Sequence, residues 1–124
     1  MNRSRLVTSF KYAFSGVWYV LRTQRNARIH LLVALGVIGL GLWLGLTRTE
    51  WAIIALTIGL VLAAESFNTV AEAAVDLATA EYHPLAKIAK DVAAGAVLLM
   101  AIAAVVVGFL ILGPPLWQAI RNAF

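Results

Sequence analysis

Three long apolar segments alternate with short polar ones along the chain. They cover residues 29–46, 51 to about 71, and 92–112. A helix needs about 20 predominantly apolar residues to cross a bilayer, so each segment is about long enough to span one. The pattern predicts an all-α membrane protein whose transmembrane helices lie at about 29–46, 51–78 and 86–112.

The N-terminal segment has a different pattern, in which apolar residues recur on one face of a helix. These positions are Leu6, Val7, Phe10, Ala13, Phe14, Val17, Trp18 and Leu21. With basic residues on its flanks, the segment is predicted to be an amphipathic helix over about 2–24 that lies on the membrane surface. Two roles are open for it: an anchor packed against the bundle, or a lid over a site. Because polar residues interleave with the apolar ones, no cleaved signal peptide is expected.

Turn signals separate the remaining elements. Residues 47–50 predict a short turn between the first two spans. The Gly-Pro-Pro sequence at 113–115 predicts the end of the third span, because proline cannot continue a helix without losing a hydrogen bond. Residues 116–124 would then form a short interfacial tail that carries Trp117.

Composition agrees with a membrane protein and excludes some chemistry. Of the 124 residues, 62% are hydrophobic and 13% are charged, which leaves too little polar surface for a soluble domain of this size. No repeat or second domain is visible, so one membrane domain over 1–124 is expected. The chain has no cysteine, which excludes disulfide bonds and thiolate chemistry. Small residues are frequent in the last two spans and favour a homo-oligomer, since they let helices pack closely in lipid.

The basic residues predict the orientation in the cell membrane. With the N-terminus in the cytoplasm, eight basic residues lie inside and two outside, as the positive-inside rule favours. The inner set is Arg3, Arg5, Lys11, Arg22, Arg25, Arg28, Lys87 and Lys90, and the outer set is Arg48 and Arg121. The connection between the second and third spans, residues 75–91, is then cytoplasmic.

A polar stripe follows the apolar run 51–64. Its members are Glu65, Asn68, Glu72 and Asp76, and spacings of three and four residues place them on one helix face. The preceding run has only 14 residues, so Glu65 is predicted to lie inside the membrane edge. Ionisable groups at that depth are costly and usually functional.

The stripe and the segment after it contain the parts that phosphoryl transfer needs. Paired carboxylates with an amide between them suit a divalent cation and a general base. Lys87, Lys90 and Asp91 follow at helical spacing, and a lysine can neutralise phosphate. The sequence has no GxxxxGK[ST] motif, which excludes an ordinary P-loop.

Plainer interpretations of the same residues stay open. Glu72 and Asp76 could form a solvated helix end paired with Lys87 or Lys90. Asn68 could serve only to hydrogen-bond two helices. His83, taken alone, fits a surface loop residue better than a ligand. Glu65 is harder to explain in this way, because a buried carboxylate needs a partner or a proton.

Two long motifs and one short one resemble a known family. They are ESFNTVAEAAVD at 65–76, EYHPLAKIAKDVAAGAVLL at 81–99 and, more loosely, RNARIH at 25–30. Together with the order of one surface helix and three spans, they resemble the prokaryotic diacylglycerol kinase family, which includes the undecaprenol kinases of Gram-positive bacteria.

The resemblance implies a small homotrimer that transfers the γ-phosphate of Mg-ATP to a membrane lipid alcohol at the cytoplasmic interface. It implies that Glu65 is the general base, that Asn68 orients groups near the γ-phosphate, and that Glu72 holds Mg²⁺. Phosphate would be bound by Lys90. Four more residues match the family's nucleotide-binding region: Asp76, Glu81, His83 and Asp91. No nucleic-acid partner is expected.

One position departs from the family pattern. The family usually has a second metal-binding glutamate where this chain has Gln24. A glutamine offers a neutral oxygen but no charge, so weaker metal binding or an altered ATP affinity is expected, with a low-activity or specialised member as an open alternative. The segments at 25–30 and 83–87 resemble the Gram-positive undecaprenol kinases more than the proteobacterial diacylglycerol kinases. This resemblance implies undecaprenol as the lipid, with diacylglycerol as the alternative.

Two other classes of function are compatible with the residues. An oligomer with intramembrane carboxylates could form a small proton or cation pathway. A pore, however, does not need the basic cluster at 87–91. The chain could also be a non-catalytic packing subunit, in which case Glu65→Gln would leave every activity intact.

Overall fold

The computed structural model describes residues 3–124, with side chains from Ser4 onward. Within this part of the chain the secondary structure consists of four α-helices: α1 Arg3–Thr23, α2 Arg25–Leu44, α3 Arg48–Ala78 and α4 Pro84–Ala123. The predicted all-α fold is confirmed. The predicted start of the first helix at residue 2 lies outside the described residues.

Three of these helices are long and apolar enough to cross a membrane, as predicted. The most apolar windows of α2, α3 and α4 have mean hydropathies of 1.9, 1.8 and 2.9. At 31 and 40 residues, α3 and α4 are about 46 and 60 Å long. Both therefore exceed the roughly 30 Å hydrocarbon core. The chain is a membrane protein whose last two helices also extend past the bilayer core.

The connection between α2 and α3 is shorter than predicted. Gly45 ends α2 in the left-handed conformation, at φ 72° and ψ 56°, and its N–H donates to the carbonyl of Gly41. Thr47 begins α3 with a capping box, because its Oγ1 accepts from the N–H of Glu50 while Glu50 Oε2 accepts from the N–H of Thr47. The predicted short turn between the first two spans is present, but its predicted bounds, 47–50, are wrong. Arg48, with the two residues after it, already forms the first turn of α3.

The predicted end of the last helix at 113–115 is also wrong. Both Pro114 and Pro115 lie inside α4, which continues to Ala123. Packing explains the difference: Ile111 and Leu112, which precede the Gly-Pro-Pro sequence, are buried against Ile54 of α3. Membrane helices tolerate proline where neighbouring helices support the backbone. Trp117 consequently lies on a helix and not in a separate tail.

The side chains are closely packed at the end of the bundle where the α2–α3 turn lies. A Cβ atom on Gly41 would lie 2.8 Å from Leu46 Cδ1 and 2.9 Å from Trp51 Cη2. No side chain larger than hydrogen fits there without a shift. Leu46 and Trp51 in turn pack on the buried cluster around Ile54. The opposite end, where α3 leads into α4, contains the polar residues of the stripe and an ion pair between the two helices.

Candidate active site

The inner half of α3 carries the polar stripe and buries its first member. Glu65 is 2% exposed, and Thr69, one turn later, is also buried. Thr69 Oγ1 donates to the backbone carbonyl of Glu65 at 2.9 Å and leaves the carboxylate to other partners. Removing a carboxylate from water is costly unless a polar group compensates. The environment of this carboxylate therefore decides what the site can do.

His30 of α2 faces the Glu65 carboxylate. Its Nε2 lies 3.2 Å from Glu65 Oε1. The contact is not a well-aligned hydrogen bond, so Oε1 is buried with no hydrogen-bond partner among residues 4–124. Sequence reasoning assigned no role to His30 in the site. The available signal was an ionisable side chain at the start of an apolar span, which is itself unusual.

Asn68 and Glu72 form the middle of the stripe. Asn68 Nδ2 donates to Glu72 Oε1 at 3.2 Å, as expected for residues four apart on a helix. The other end of the amide, Asn68 Oδ1, is buried and has no hydrogen-bond partner in the described part of the chain. The stripe thus presents oxygen atoms that need a donor or a cation.

The oxygen atoms fit a magnesium ion better than an all-protein metal cage. In residues 4–124, no three histidine or acidic side chains converge as a metal site would require. Mg²⁺ usually takes one or two carboxylates, with phosphate and water completing its shell. Glu72 and the free oxygen of Asn68 could supply the few protein ligands that such an ion needs.

Gln24 lies at the break between α1 and α2, in an extended conformation at φ −99° and ψ 116°. Its amide donates to Thr23 Oγ1 at 3.2 Å. Helices α2 and α3 run antiparallel, so a step toward the start of α2 and a step toward the end of α3 go in the same direction along the bundle. Gln24 is six residues before His30, or about 9 Å, and Glu72 is seven residues after Glu65, or about 10 Å. Gln24 and Glu72 therefore lie at similar levels along the bundle.

An ion pair joins α3 and α4 beyond the stripe. Lys90 Nζ lies 2.6 Å from Asp76 Oδ1, where the Asp76 side chain is exposed and the Lys90 side chain is partly exposed. This is one of the pairings that the plainer interpretation of Asp76 anticipated. Glu72 hydrogen-bonds to Asn68 instead, so the solvated-end interpretation does not describe both carboxylates.

The ion pair borders a cleft of about 410 Å³ at the α3–α4 loop. Its lining residues are Val75, Asp76, Thr79, Ala80, Glu81, Tyr82, His83, Ala86, Lys87 and Lys90. The structure therefore brings together Asp76, Glu81, His83 and Lys90, which the sequence grouped as nucleotide-binding. Asp91 is not among the lining residues and pairs with Lys87 on the same helix.

Local hydrogen bonds order the loop that forms the cleft. His83 caps the start of α4, since its Nδ1 accepts from the N–H of Leu85 at 3.1 Å. Pro84 occupies the first helical position, where a missing N–H has no cost. The Thr79 hydroxyl bonds both the carbonyl and the N–H of Glu81. His83 is thus a helix cap whose Nδ1 is already occupied.

Comparison with known proteins identifies relatives over most of the chain. A model of the family described as "Prokaryotic diacylglycerol kinase" matches residues 11–112. A diacylglycerol kinase from Synechocystis is 53% identical over 112 residues, which is 90% of this chain but only 64% of that protein's length. An undecaprenol kinase from Bacillus subtilis is 43% identical over 113 residues, which is 91% of this chain and 92% of that protein. A diacylglycerol kinase from Helicobacter pylori is 34% identical over 95 residues, or 77% of this chain and 74% of that protein.

Proposed function

The chain belongs to the prokaryotic diacylglycerol kinase family of membrane lipid kinases, and we propose that it transfers the γ-phosphate of ATP to the hydroxyl of a membrane lipid. The observation that carries this proposal is the Glu65 carboxylate, which is buried and has no well-aligned hydrogen-bond donor in the described residues. A lipid hydroxyl is a donor that can reach such a group from within the membrane. Further along α3, the cleft between Asp76 and Lys90 of α4 offers ATP a site at the water.

In this proposal the proton is accepted at the Glu65 end of the stripe, and the phosphoryl group is supplied by ATP from the other end. Glu65 accepts the proton of the lipid hydroxyl while the hydroxyl oxygen forms a bond to the γ-phosphorus. The bond between the γ-phosphorus and the β,γ-bridging oxygen breaks, and ADP leaves. A positioned base contributes about 10²–10⁴-fold to such a step. Positioning and charge neutralisation supply most of the remainder.

Glu72 and Asn68 would hold Mg²⁺ in this site. The ion neutralises charge on the nucleotide phosphates when it is bound. Gln24 is at a similar level along the bundle and would offer a neutral amide oxygen in place of the carboxylate usual in the family. Lys90, released in part from Asp76, would contact phosphate. Glu81, His83 and Asp91 are the remaining nucleotide-region residues in this proposal.

We propose undecaprenol as the lipid and diacylglycerol as the alternative. The Bacillus subtilis relative, named undecaprenol kinase, aligns over nearly the whole of both chains. The Synechocystis relative, named diacylglycerol kinase, is more identical but extends well beyond this chain. The product would be undecaprenyl phosphate or phosphatidic acid.

The proposed setting is a homotrimer in the cell membrane with the N-terminus and the active site in the cytoplasm. The distribution of basic residues supports this orientation. Helix α1 would lie on the inner membrane surface, and its exposed Phe10, Phe14 and Trp18 suit that location. Only about a fifth of each spanning window is buried within one chain, which leaves helix faces for lipid and for neighbouring subunits.

The test is magnesium-dependent transfer of labelled γ-phosphate from ATP to undecaprenol and, separately, to diacylglycerol, with purified protein in mixed micelles. Glu65→Gln should lower kcat by at least about 10²-fold, because the amide cannot accept the proton. Glu50→Gln is the matched control, since it makes the same change on the same helix far from the site. It should retain wild-type kcat.

In a second arm of the assay, undecaprenol and diacylglycerol compete in the same reaction. The ratio of the kcat/KM values for the two lipids identifies the preferred substrate. Full activity in folded Glu65→Gln would contradict the proposed base. No transfer to either lipid by folded wild-type protein would contradict the proposed kinase activity. A cation or proton flux that needs neither ATP nor magnesium would then favour the pathway interpretation.

A further inference from the structure

The contact between His30 and Glu65 is not explained by the proposed reaction as it stands. The Glu65 side chain is 3% exposed, whereas the His30 side chain is 24% exposed. Among residues 4–124, the imidazole is the one basic side chain within 4 Å of this carboxylate, and no side chain forms a well-aligned hydrogen bond to its Oε1. A buried carboxylate facing a single possible donor depends on that donor for its orientation.

The surroundings of His30 strengthen this dependence. It stands at one end of an apolar groove of about 570 Å³ between α2, α3 and α4. Its neighbours along the groove include Val33, Val61 and Ala101, and Thr57 is the one other polar residue in the lining. The groove therefore offers the His30 imidazole no ionisable partner that would compete with Glu65. Glu65 is also the ionisable group that faces His30 from α3, and the α4 residues lining the groove are all apolar.

We propose that His30 is a positioning residue for Glu65, an inference that rests on the proposed function. His30 Nε2–H donates to Glu65 Oε1 and fixes the plane of the carboxylate, which leaves Oε2 to accept the proton of the lipid hydroxyl. His30 keeps its own protons throughout and does not touch the substrate. The present 3.2 Å contact is poorly aligned, and such bonds commonly tighten only when the substrate is bound.

Three substitutions at one position test the geometry. His30→Gln places an amide nitrogen at the same number of bonds from Cβ as Nε2. His30→Asn places its amide nitrogen at the position of Nδ1, one bond shorter. His30→Leu removes every donor. If His30 positions Glu65 through Nε2, the Gln variant should retain most of the wild-type kcat, while the Asn and Leu variants should lose about 10- to 100-fold, the range for a charged group that loses a buried hydrogen bond.

The KM for ATP should stay within about twofold in all three variants, because a residue that acts on the base changes kcat and leaves nucleotide binding alone. Leu32→Ala is the control, since Leu32 is 68% exposed and two residues away on the same helix. Rates are expressed per folded protein, from size-exclusion elution and thermal unfolding. A similar kcat in the Gln, Asn and Leu variants would overturn the inference, and so would a loss that follows folded yield or KM for ATP.

The wild-type assay separates this inference from the function it rests on. Wild-type transfer with an unchanged His30→Leu variant would leave the kinase proposal standing and remove the role of His30. Absence of transfer by folded wild-type protein would overturn the kinase proposal, and the positioning role with it.

Discussion

At the scale of single residues, the inner half of α3 has more buried acceptors than donors. Glu65 Oε1 and Asn68 Oδ1 are both buried without hydrogen-bond partners in the described chain. Each buried acceptor of this kind lowers the stability of the fold unless a hydrogen-bond donor or a cation pairs with it. A protein selected only for stability would place donors here. The imbalance is what a site for a hydroxyl group and a cation requires.

Gln24→Glu tests the departure from the family pattern. The added carboxylate would restore a charged oxygen ligand at the level of Glu72, so the apparent affinity for Mg²⁺ in the kinase assay should rise on the order of tenfold. A magnesium titration of initial rates at saturating lipid measures the effect.

The chain contains one other glutamine, Gln118, near the end of α4. Gln118→Glu adds the same charge elsewhere in the molecule and should leave the magnesium dependence unchanged. An equal shift in both variants would mean that total charge, and not a ligand at position 24, sets the affinity.

The sequence predicted residues on one helix much better than contacts between helices. Spacing alone placed Glu65, Asn68, Glu72 and Asp76 on one face of α3, and the structure agrees. The partner of Glu65 depends on how α2 and α3 are aligned along their axes. Hydrophobic periodicity shows which face of a helix is apolar but does not specify how two helices are aligned along their axes. His30 therefore emerged only from the structure.

At the scale of elements, the close packing of α2 beside the α2–α3 turn depends on Gly41. Gly41→Ala would place a methyl group against Leu46 and the rigid indole of Trp51. Overpacking of this kind costs about 1–3 kcal/mol, and the better helix propensity of alanine offsets about 1 kcal/mol of it. A lower Tm in detergent is expected, measured by circular dichroism.

Gly39 supplies the control for that substitution. It lies on the same helix, and a Cβ there would meet no atom within 4 Å. Gly39→Ala should keep or raise Tm. If Gly41→Ala were as stable as Gly39→Ala, the close contacts at the turn would have no energetic importance.

Helix α4 shows where a strong local rule fails. Two consecutive prolines normally end a helix, and the sequence favoured that outcome at 113–115. Ile111 and Leu112, just ahead of the Gly-Pro-Pro sequence, are buried against α3. Hydrocarbon also favours a continuous helix, because an unpaired backbone group has no water to bond there. Tertiary packing and solvent therefore decide the end of α4, and neither is visible in a short sequence window.

At the scale of the whole molecule, the proposed topology can be tested directly because the chain has no cysteine. Thr49→Cys and Ala80→Cys are single substitutions at exposed positions at opposite ends of α3. A membrane-impermeant maleimide applied to intact cells should label position 49 and spare position 80, if the N-terminus is cytoplasmic.

Labelling after permeabilisation gives the reference level, since both thiols should then react. Protection of position 49 together with labelling of position 80 in intact cells would reverse the orientation. In that case ATP in the cytoplasm could not reach the cleft at Asp76 and Lys90, and the kinase proposal would need another nucleotide site.

The short connection between α2 and α3 also has a consequence for biosynthesis. Only Gly45, Leu46 and Thr47 separate the two helices, so the two arms can enter the bilayer together as one helical hairpin. His30 is on the first arm and Glu65 on the second. The carboxylate can therefore meet its imidazole partner as the hairpin inserts, before the ribosome has finished α4.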